Sequence, residues 1–284
     1  IDIKIIENSK TKINIETKII DAKGEVTDSN TEASIGIGFI TGILIYMFIF
    51  MYGTMVMRGV IEEKTNRIVE IIISSVKPFQ LMMGKIIGVA LVGLTQFILW
   101  ILLTIIISSF AELFLIDAAE ISNNTDTINQ SLILDEITKL TGGIDLIKIF
   151  FFFIFFFLFG YLMYSALFAA VGSAVDAEAD TQQFVLPITI PLILAFILIQ
   201  PVMDNPDGTL AFWLSMNPLT SPVIMMVRLP FGVDIWELVL SMVLLILGFI
   251  ITTYLAAKIY RTGILMYGKK ISYKELWKWL TYKG

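Results

Sequence analysis

The sequence predicts an all-α polytopic membrane protein with five transmembrane helices, preceded by the end of a β-containing ectodomain. Two features of the composition predict the membrane location: 57% of the 284 residues are hydrophobic and only 16% are charged. An ordinary soluble domain has about 45–50% apolar and about 25% charged residues. The mean hydropathy of +0.84 agrees with this assignment. The third observation is that the apolar residues fall into five long uninterrupted runs.

These five runs are long enough to cross a membrane, whose hydrocarbon core takes roughly 20 helical residues. They cover residues 35–57, 86–111, 149–175, 184–203 and 238–257, and none contains Lys, Arg, Asp or Glu. A charged side chain at a helix centre costs about 2.5–3.5 kcal/mol on insertion scales, so uncharged runs of this length indicate membrane spans. The transmembrane domain is therefore predicted over residues 35–258.

Basic residues are distributed unevenly between the two sides of these spans. Five cations lie in residues 58–85 and seven lie from Lys258 onward, whereas the opposite loops hold only Lys139, Lys148 and Arg228. The positive-inside rule then makes residues 58–85 and the basic tail 259–284 cytoplasmic and leaves the N-terminal segment outside.

Residues 1–34 differ in pattern from the rest of the chain. Apolar and polar residues alternate at Ile1–Ile5 and Lys12–Glu16, as in half-buried strands. An isolated pair of strands is marginally stable, and the sequence opens with neither Met nor a signal segment. We expect residues 1–34 to be the C-terminal end of an extracytoplasmic ectodomain that begins, with an anchoring span, before this sequence.

The composition also excludes several kinds of function. The sequence has no Cys and no His, which excludes metal sites built on those ligands and the Ser-His-Asp and Cys-His catalytic arrangements. A net charge of −5 disfavours nucleic-acid binding. The phosphate loop Gly-x-x-x-x-Gly-Lys-Ser/Thr occurs nowhere, so the chain is not an ATPase by that route. We predict neither catalytic residues nor a bound metal or cofactor in this chain.

The connection 58–85 carries the strongest local signal. It reads as two helices, with Ser74–Pro78 ending the first and Pro78 opening the second. Glu63 and Arg67 are spaced for an i,i+4 ion pair. One predicted helical stripe carries three isoleucines, Ile61, Ile68 and Ile72. Such a mixed apolar and charged face is typical of a docking element, or of an interfacial helix that rests on anionic lipid.

Three stretches of the chain resemble ABC type-2 permeases, especially the NatB-type branch. EEKTNRIVEIIISSVKPFQLMMGK at 62–85 resembles the connection after the family's second span. GSAVDAEADTQQ at 172–183, together with Pro187, resembles the loop before its fifth span. NPLTSPVIMMVR at 217–228 resembles the segment before its last span. The three stretches occur in the family's order and extend over most of the chain from Ile35 onward.

The resemblance implies a six-span subunit in the cell (inner) membrane of a prokaryote, with an ectodomain between its first two spans. It implies a second permease subunit, as a homodimer or heterodimer, and two cytoplasmic ATP-binding subunits that hold ATP and Mg and drive export by alternating access. In the family, the helix before the Ser-Ser-x-x-Pro break docks on the ATPase. This role carries over to seven residues, Glu62, Glu63, Arg67, Glu70, Ser74, Ser75 and Pro78.

Other candidates for the transport path lie within the spans. Thr95 and Gln96 are polar residues near mid-depth in the second predicted span. Such residues either form hydrogen bonds to neighbouring helices or line a transport path. Pro187 and Pro191 interrupt the fourth span, either as plain kinks or as part of a path. Residues 204–237 are apolar but interrupted by prolines, which predicts helical pieces that re-enter the outer interface.

Some features leave alternatives open. Asp176, Glu178 and Asp180 could bind a cation through oxygens, meet basic residues of a partner, or form a solvated loop. Gly38 and Gly42 favour close helix approach, either within the chain or in a dimer.

The function that competes with export is a membrane receptor or assembly scaffold with a sensing ectodomain and no transported substrate. That alternative predicts normal folding without an ATPase.

Overall fold

The computed structural model describes residues 18–20, 26–28, 31–119, 144–268 and 272–281. The strands are β1 (Lys18–Ile20) and β2 (Val26–Asp28). The helices are α1 (Thr31–Thr65), α2 (Ile68–Ile73), α3 (Pro78–Ala119), α4 (Leu146–Ala174), α5 (Gln182–Ile197), α6 (Ile199–Asp204), α7 (Thr209–Met216), α8 (Ser221–Arg228), α9 (Ile235–Gly263) and α10 (Tyr273–Thr281). Short 3₁₀ turns at Glu178–Thr181 and Leu229–Phe231 precede α5 and follow α8.

Five helices of the described chain are long and apolar enough to cross a membrane, which confirms the predicted fold class. They are α1, α3, α4, α5 with its preceding 3₁₀ turn, and α9. Helices α1 and α3 extend well beyond the apolar runs on the side where they face each other in sequence, because α1 continues to Thr65 and α3 already begins at Pro78. The added residues are mostly good helix formers, and continuing the helix satisfies their backbone groups. The connection between the two spans is therefore much shorter than residues 58–85.

The fourth predicted span, residues 184–203, is two helices rather than one. Helix α5 ends at Ile197, and α6 begins after a turn at Leu198. Pro201 has no N–H to donate to the carbonyl of Ile197, so the helical hydrogen bonds are interrupted there. Pro187 and Pro191 lie inside α5 without ending it.

Helix α4 lies at the centre of the bundle, packed against α1, α9, α3, α5 and α8. Its second half is buried almost continuously. Gly172 allows a close approach to α1, since a Cβ there would lie 2.7 Å from the carbonyl oxygen of Met57. Gly160 similarly approaches Pro222 of α8.

Residues 204–237 form short helices folded against one end of the bundle, as the prolines predicted. All eight residues of α8 are buried. The predicted close approach of Gly38 and Gly42 occurs within the chain, because both meet Val227 of α8. A Cβ at Gly38 would lie 2.7 Å from the Val227 carbonyl oxygen, so these positions are occupied by the chain itself rather than left free for a second subunit.

In the described part of the N-terminal segment, β1 and β2 form a short antiparallel pair in which Lys18 faces Asp28. The strands predicted at Ile1–Ile5 and Lys12–Glu16 lie outside the described residues. The assignment of residues 1–34 to an ectodomain thus stays a prediction.

Candidate functional site

The connection between α1 and α3 forms an exposed surface at one end of the bundle, which we call the α2 face. Helix α2 has only Val69 buried, whereas Ile71 is 76% exposed and Ile68 is 43% exposed. Of the seven residues predicted to dock on a partner, five are exposed and Glu63 and Pro78 are partly buried. The exposed five are Glu62, Arg67, Glu70, Ser74 and Ser75. The surface thus combines exposed isoleucines with charges of both signs.

The position of α2 is fixed by a break that the sequence pattern did not predict. Helix α1 ends at Thr65, and Arg67 takes the left-handed conformation with φ 57°. The N–H of Arg67 donates to the carbonyl of Lys64 at 2.9 Å. A positive φ is uncommon outside Gly and reverses the chain direction sharply. The expected stripe through Ile61, Ile68 and Ile72 is therefore wrong, because it assumed one continuous helix.

The second break, at Ser74–Pro78, agrees with the prediction. The hydroxyl of Ser74 donates to the carbonyl of Ile71 at 2.6 Å, which caps the end of α2. The N–H of Lys77 donates to Oε1 of Gln80 at 3.2 Å, immediately before Pro78 opens α3. Pro78 has no N–H, and an N–H at the first helical position would have no partner within the helix. Residues 77–80 therefore form a well-capped start of α3.

Glu63 is paired differently from the prediction. Its Oε2 lies 2.7 Å from Nζ of Lys85 on α3, and both side chains are largely buried. The predicted Glu63–Arg67 ion pair is wrong, because the chain reverses at Arg67 and carries that side chain away from the i,i+4 position. Glu63 therefore joins α1 to α3.

A buried ion pair lies beneath the α2 face. Lys64 is 0% exposed, and its Nζ lies 2.9 Å from Oδ1 of Asp176. The same ammonium donates to the carbonyl of Ser173 at 2.8 Å. Oδ2 of Asp176 accepts the N–H of Gly268 at 2.6 Å. One lysine thus connects the end of α1, the α4–α5 loop and the segment that follows α9.

Lys64 was missed by the sequence reasoning although a signal was present. Lys64 lies on the same helical stripe as the apolar residues Val56, Val60 and Ile61. This spacing predicts that the lysine is buried with them. A buried lysine needs an acidic partner, and the α4–α5 loop supplies acids without a cation of its own.

Two of the three acidic residues in the α4–α5 loop form ion pairs with basic residues of the same chain. Asp176 binds Lys64, and Glu178 lies 2.7 Å from Nε of Arg58 in an exposed pair. Asp180 is exposed. Within the described residues no cluster of three acidic side chains is arranged for a metal ion. A cavity of about 560 Å³ opens beside the loop, lined by Asp176, Asp180, Gln183 and Gly268 among others.

The segment after α9 extends to the α2 face. The ring centroid of Tyr267 lies 5.7 Å from Nζ of Lys64. The pKa of Tyr267 lies above its ordinary value. Burial makes the largest contribution to this rise and the negative charge of Glu70 the next, and the positive charge of Arg67 offsets part of it. Tyr267 therefore lies near the charges of the exposed helix as well as over the buried pair.

The four residues predicted to line a transport path lie on two different helices. Gln96 accepts a hydrogen bond from the hydroxyl of Tyr52 at 2.8 Å, which joins α3 to α1. Thr95 donates to the carbonyl of Leu91 within its own helix. Pro187 and Pro191 lie on α5, which shares no extended packing with α3. The structure does not bring the two pairs together.

At the other end of the bundle, Arg228 forms a buried cluster that sequence reasoning also missed. Arg228 is 2% exposed, and its Nη2 lies 2.8 Å from Oε2 of Glu237. Its Nε donates to the carbonyl of Pro206 at 2.7 Å and its Nη1 to the hydroxyl of Ser215 at 2.6 Å. The guanidinium thereby joins α7, α8 and α9.

Comparison with known proteins gives three findings. The sequence model of a family described as "ABC-2 family transporter protein" matches residues 3–258. Two curated proteins, YhaP of Bacillus subtilis and MJ1024 of Methanocaldococcus jannaschii, are each 28% identical to this chain and are named as uncharacterized. The matches cover 89% and 98% of the chain, which spans 57% and 61% of the relatives' lengths. No solved structure matches the chain significantly.

Proposed function

Since this chain belongs to the ABC-2 transporter family, we propose that it is the membrane-spanning permease part of an ATP-driven exporter. The α2 face is its contact with a separate ATPase subunit. The observation that carries this proposal is the short helix α2, which exposes Ile68, Ile71 and Glu70 at a polar end of a membrane bundle. Ile68 and Ile71 are three residues apart on one helix and share a face, and such a grouped apolar surface outside the spans favours a protein contact more than a single exposed residue would.

The contacts beneath the α2 face would carry force from an ATPase into the bundle. Glu63 joins the end of α1 to α3 through Lys85, and Lys64 joins it to the α4–α5 loop through Asp176. A displacement of α2 would therefore act on three spans at once. We propose that closure of the ATPase subunits moves these spans in alternating access.

We place the residues that perform ATP hydrolysis in the separate ATPase subunit and not in this chain. The family consists of membrane subunits of transporters, and this sequence lacks the phosphate loop that would hold ATP and Mg. The chain's own contribution is then mechanical: it receives the movement at α2 and changes the packing of its spans.

The orientation follows from the charges. We propose that the α2 face and α10 lie in the cytoplasm of a prokaryote and that α7 and α8 lie at the outer interface. The twelve cations in residues 58–85 and from Lys258 onward support this arrangement.

By family likeness we also propose that the chain pairs with a second permease subunit. We further propose that it belongs to the NatB-type branch, on the basis of the three motif stretches at 62–85, 172–183 and 217–228.

The transport path is proposed to border α3 and α5. Gln96 lies at a contact between α1 and α3, and Pro187 and Pro191 leave backbone carbonyls of α5 without intrahelical donors. The carbonyl freed by Pro187, that of Gln183, already accepts a hydrogen bond from the hydroxyl of Tyr273. Gln96 and the carbonyl freed by Pro191 are therefore the polar groups at membrane depth that would meet a substrate. Cysteines introduced at Thr95 and Pro187 would test this by their substrate-protected labelling.

The experiment that tests the function is co-purification of the full-length protein with the ATP-binding subunit encoded beside it. We expect stoichiometric capture by the wild type and loss of capture with Glu70→Lys. Glu32→Lys, which makes the same charge change in the first turn of α1 at the other end of the bundle, is the matched control. Capture by the control but not by Glu70→Lys locates the contact at α2. Absence of capture by the wild type contradicts the exporter proposal and favours a receptor or scaffold.

A further inference from the structure

A second cavity lies on the side of the bundle, between the start of α3 and the last turns of α9. Its volume is about 750 Å³. The walls are apolar and are formed by Phe79, Met83, Phe249, Ile250, Tyr254 and Ala257. From Phe249 to Arg261, α9 rises ~18 Å at 1.5 Å per residue. The groove is thus long enough for a large part of an acyl chain.

Three cations stand at one end of this groove. Lys77 precedes α3, and Lys258 and Arg261 lie in the last turns of α9. In the described part of the chain, no carboxylate lies within ion-pair distance of any of the three. This differs from Lys64 and Lys85, near the same end of the bundle, which each bind an acid of the chain. Among the residues that the structure describes, the three charges therefore have no acidic partner where the apolar groove begins.

Lys258 is held in a defined position. Its Nζ donates to the carbonyl of Leu280 on α10 at 3.2 Å and lies 4.8 Å from the ring centroid of Tyr254. These contacts bring the amphipathic helix α10 against α9 beside the groove. An ammonium keeps further donors after one hydrogen bond, so Lys258 can bind an anion as well.

A residue whose hydroxyl has no hydrogen-bond partner contributes to the wall of the groove. Thr253 is 8% exposed and lines the cavity, and its Oγ1 has no hydrogen-bond partner. The neighbouring Thr252 shows the usual arrangement, since its hydroxyl donates to the carbonyl of Gly248 at 2.8 Å. The hydroxyl oxygen itself is inaccessible to solvent, and rotation about χ1, for which a helical threonine has two common states, would turn it into the groove and offer it a partner on a ligand.

We propose that this groove binds an anionic phospholipid from the membrane leaflet on the α2 face. The phosphate binds Lys77, Lys258 and Arg261, and one acyl chain lies along Phe249 and Ile250. The hydroxyl of Thr253 donates to an ester oxygen of the glycerol. Free phosphate fits less well, because it would use only the charged end and leave about half of the lining apolar and empty. The groove adjoins the proposed contact at α2, because Pro78 belongs to both, but lipid binding can be measured without an ATPase subunit.

The test is a binding measurement on the full-length protein, delipidated in neutral detergent, with a fluorescent phosphatidylglycerol and the matching phosphatidylcholine. We expect saturable binding of phosphatidylglycerol that is at least tenfold tighter than binding of phosphatidylcholine. The variant Lys77→Gln/Lys258→Gln/Arg261→Gln should lose this preference. Arg58→Gln/Arg67→Gln/Lys148→Gln removes the same charge at positions that do not line the groove and should keep it.

Further variants separate the groove from general attraction to negative charge. Thr253→Val is nearly isosteric and should weaken phosphatidylglycerol binding severalfold, and Ile250→Trp should block the acyl chain. If the triple groove variant does not fold, the single variants of the exposed Lys77 and Arg261 replace it. Equal losses in the groove and control triples, no lipid preference in the wild type, or full displacement by millimolar inorganic phosphate would each overturn the proposal.

Discussion

Lys64 and Asp176 form an ion pair of 2.9 Å in which the lysine is completely buried and the aspartate side chain is 34% exposed. The two residues are distant in sequence and belong to α1 and to the loop between α4 and α5. The carboxylate of Asp176 has a second partner in the N–H of Gly268, so the pair also holds the chain that leaves α9. This is the main polar connection beneath the exposed helix α2.

Removing the acid from this pair should destabilise the protein strongly. In Asp176→Asn, Lys64 stays buried without a counter-charge, and breaking a buried pair in this way costs about 3–5 kcal/mol. Because Asp176 is partly solvated, the lower end of that range is expected. The measurement is thermal unfolding in detergent. The double variant Lys64→Met/Asp176→Asn should recover most of the loss, since it leaves no buried charge.

The exposed pair of Arg58 and Glu178 supplies the control for this prediction. Their side chains are 67% and 59% exposed, and a solvated pair of this kind is worth about 0–1 kcal/mol. Glu178→Gln should therefore leave the unfolding temperature nearly unchanged. If Glu178→Gln and Asp176→Asn had equal effects, burial of Lys64 would not be the cause.

The contact between α4 and α1 should not tolerate a side chain at Gly172. A Cβ would lie 2.7 Å from the carbonyl oxygen of Met57, which is backbone and cannot rotate away. Gly172→Ala should destabilise the bundle by about 1–3 kcal/mol, the usual cost of overpacking. Gly88→Ala on α3 meets no atom within 4 Å and should be stabilising by about 0.5–1 kcal/mol, because alanine favours the helix. A loss at Gly88 would indicate that a partner covers that face.

The Arg228 cluster should be needed for the folding of α7 and α8. Arg228→Met leaves the largely buried Glu237 without its cation and removes the donors to Pro206 and Ser215. We expect a loss of about 3–5 kcal/mol, together with faster labelling of a cysteine introduced at Ala211. Asp207→Asn is the matched control, because this carboxylate is 91% exposed and lies 4.0 Å from the guanidinium. A similar loss in Asp207→Asn would show that long-range charge decides stability here.

The existence of the five spans was predictable because it is decided by local composition, although the fourth ends at Ile197 rather than at residue 203. An uncharged run of twenty residues has few alternatives to a membrane helix, and the prolines before α8 predict short helices equally locally. The short helix α2 could be predicted only in part. Its end at Ser74 and Pro78 has a local signal, whereas its start depends on a left-handed Arg67, for which the sequence carries no marker.

The ion pairs were less predictable because they depend on residues far apart in the chain. Glu63 has Arg67 at helical spacing and is nevertheless paired with Lys85, since the reversal at Arg67 separates the first two. Arg228 was counted as a loop cation, yet α7 and α9 enclose it. The apolar spacing around Lys64 would have predicted its burial, but only the fold identifies Asp176 as its partner.

Glu63 and Glu70 should affect transport for different reasons, and charge exchange can separate them. Glu63→Lys places two ammonium groups together at the α1–α3 contact and should lower transport and ATP hydrolysis. Adding Lys85→Glu restores the opposite charges and should recover most of both activities. Glu70→Lys should also lower both activities, because it reverses a charge on exposed α2, but adding Lys85→Glu should not restore them.

The measurement is substrate-stimulated ATP hydrolysis by the reconstituted complex, with membrane insertion checked by protease protection. Glu63 is partly buried and has its partner within the chain, so its variant should retain ATPase binding while coupling is lost. Glu70 is exposed on α2, so its variant should lose binding itself. Rescue of Glu70→Lys by Lys85→Glu would contradict this division, because the two positions would then act through one electrostatic interaction rather than through two separate contacts.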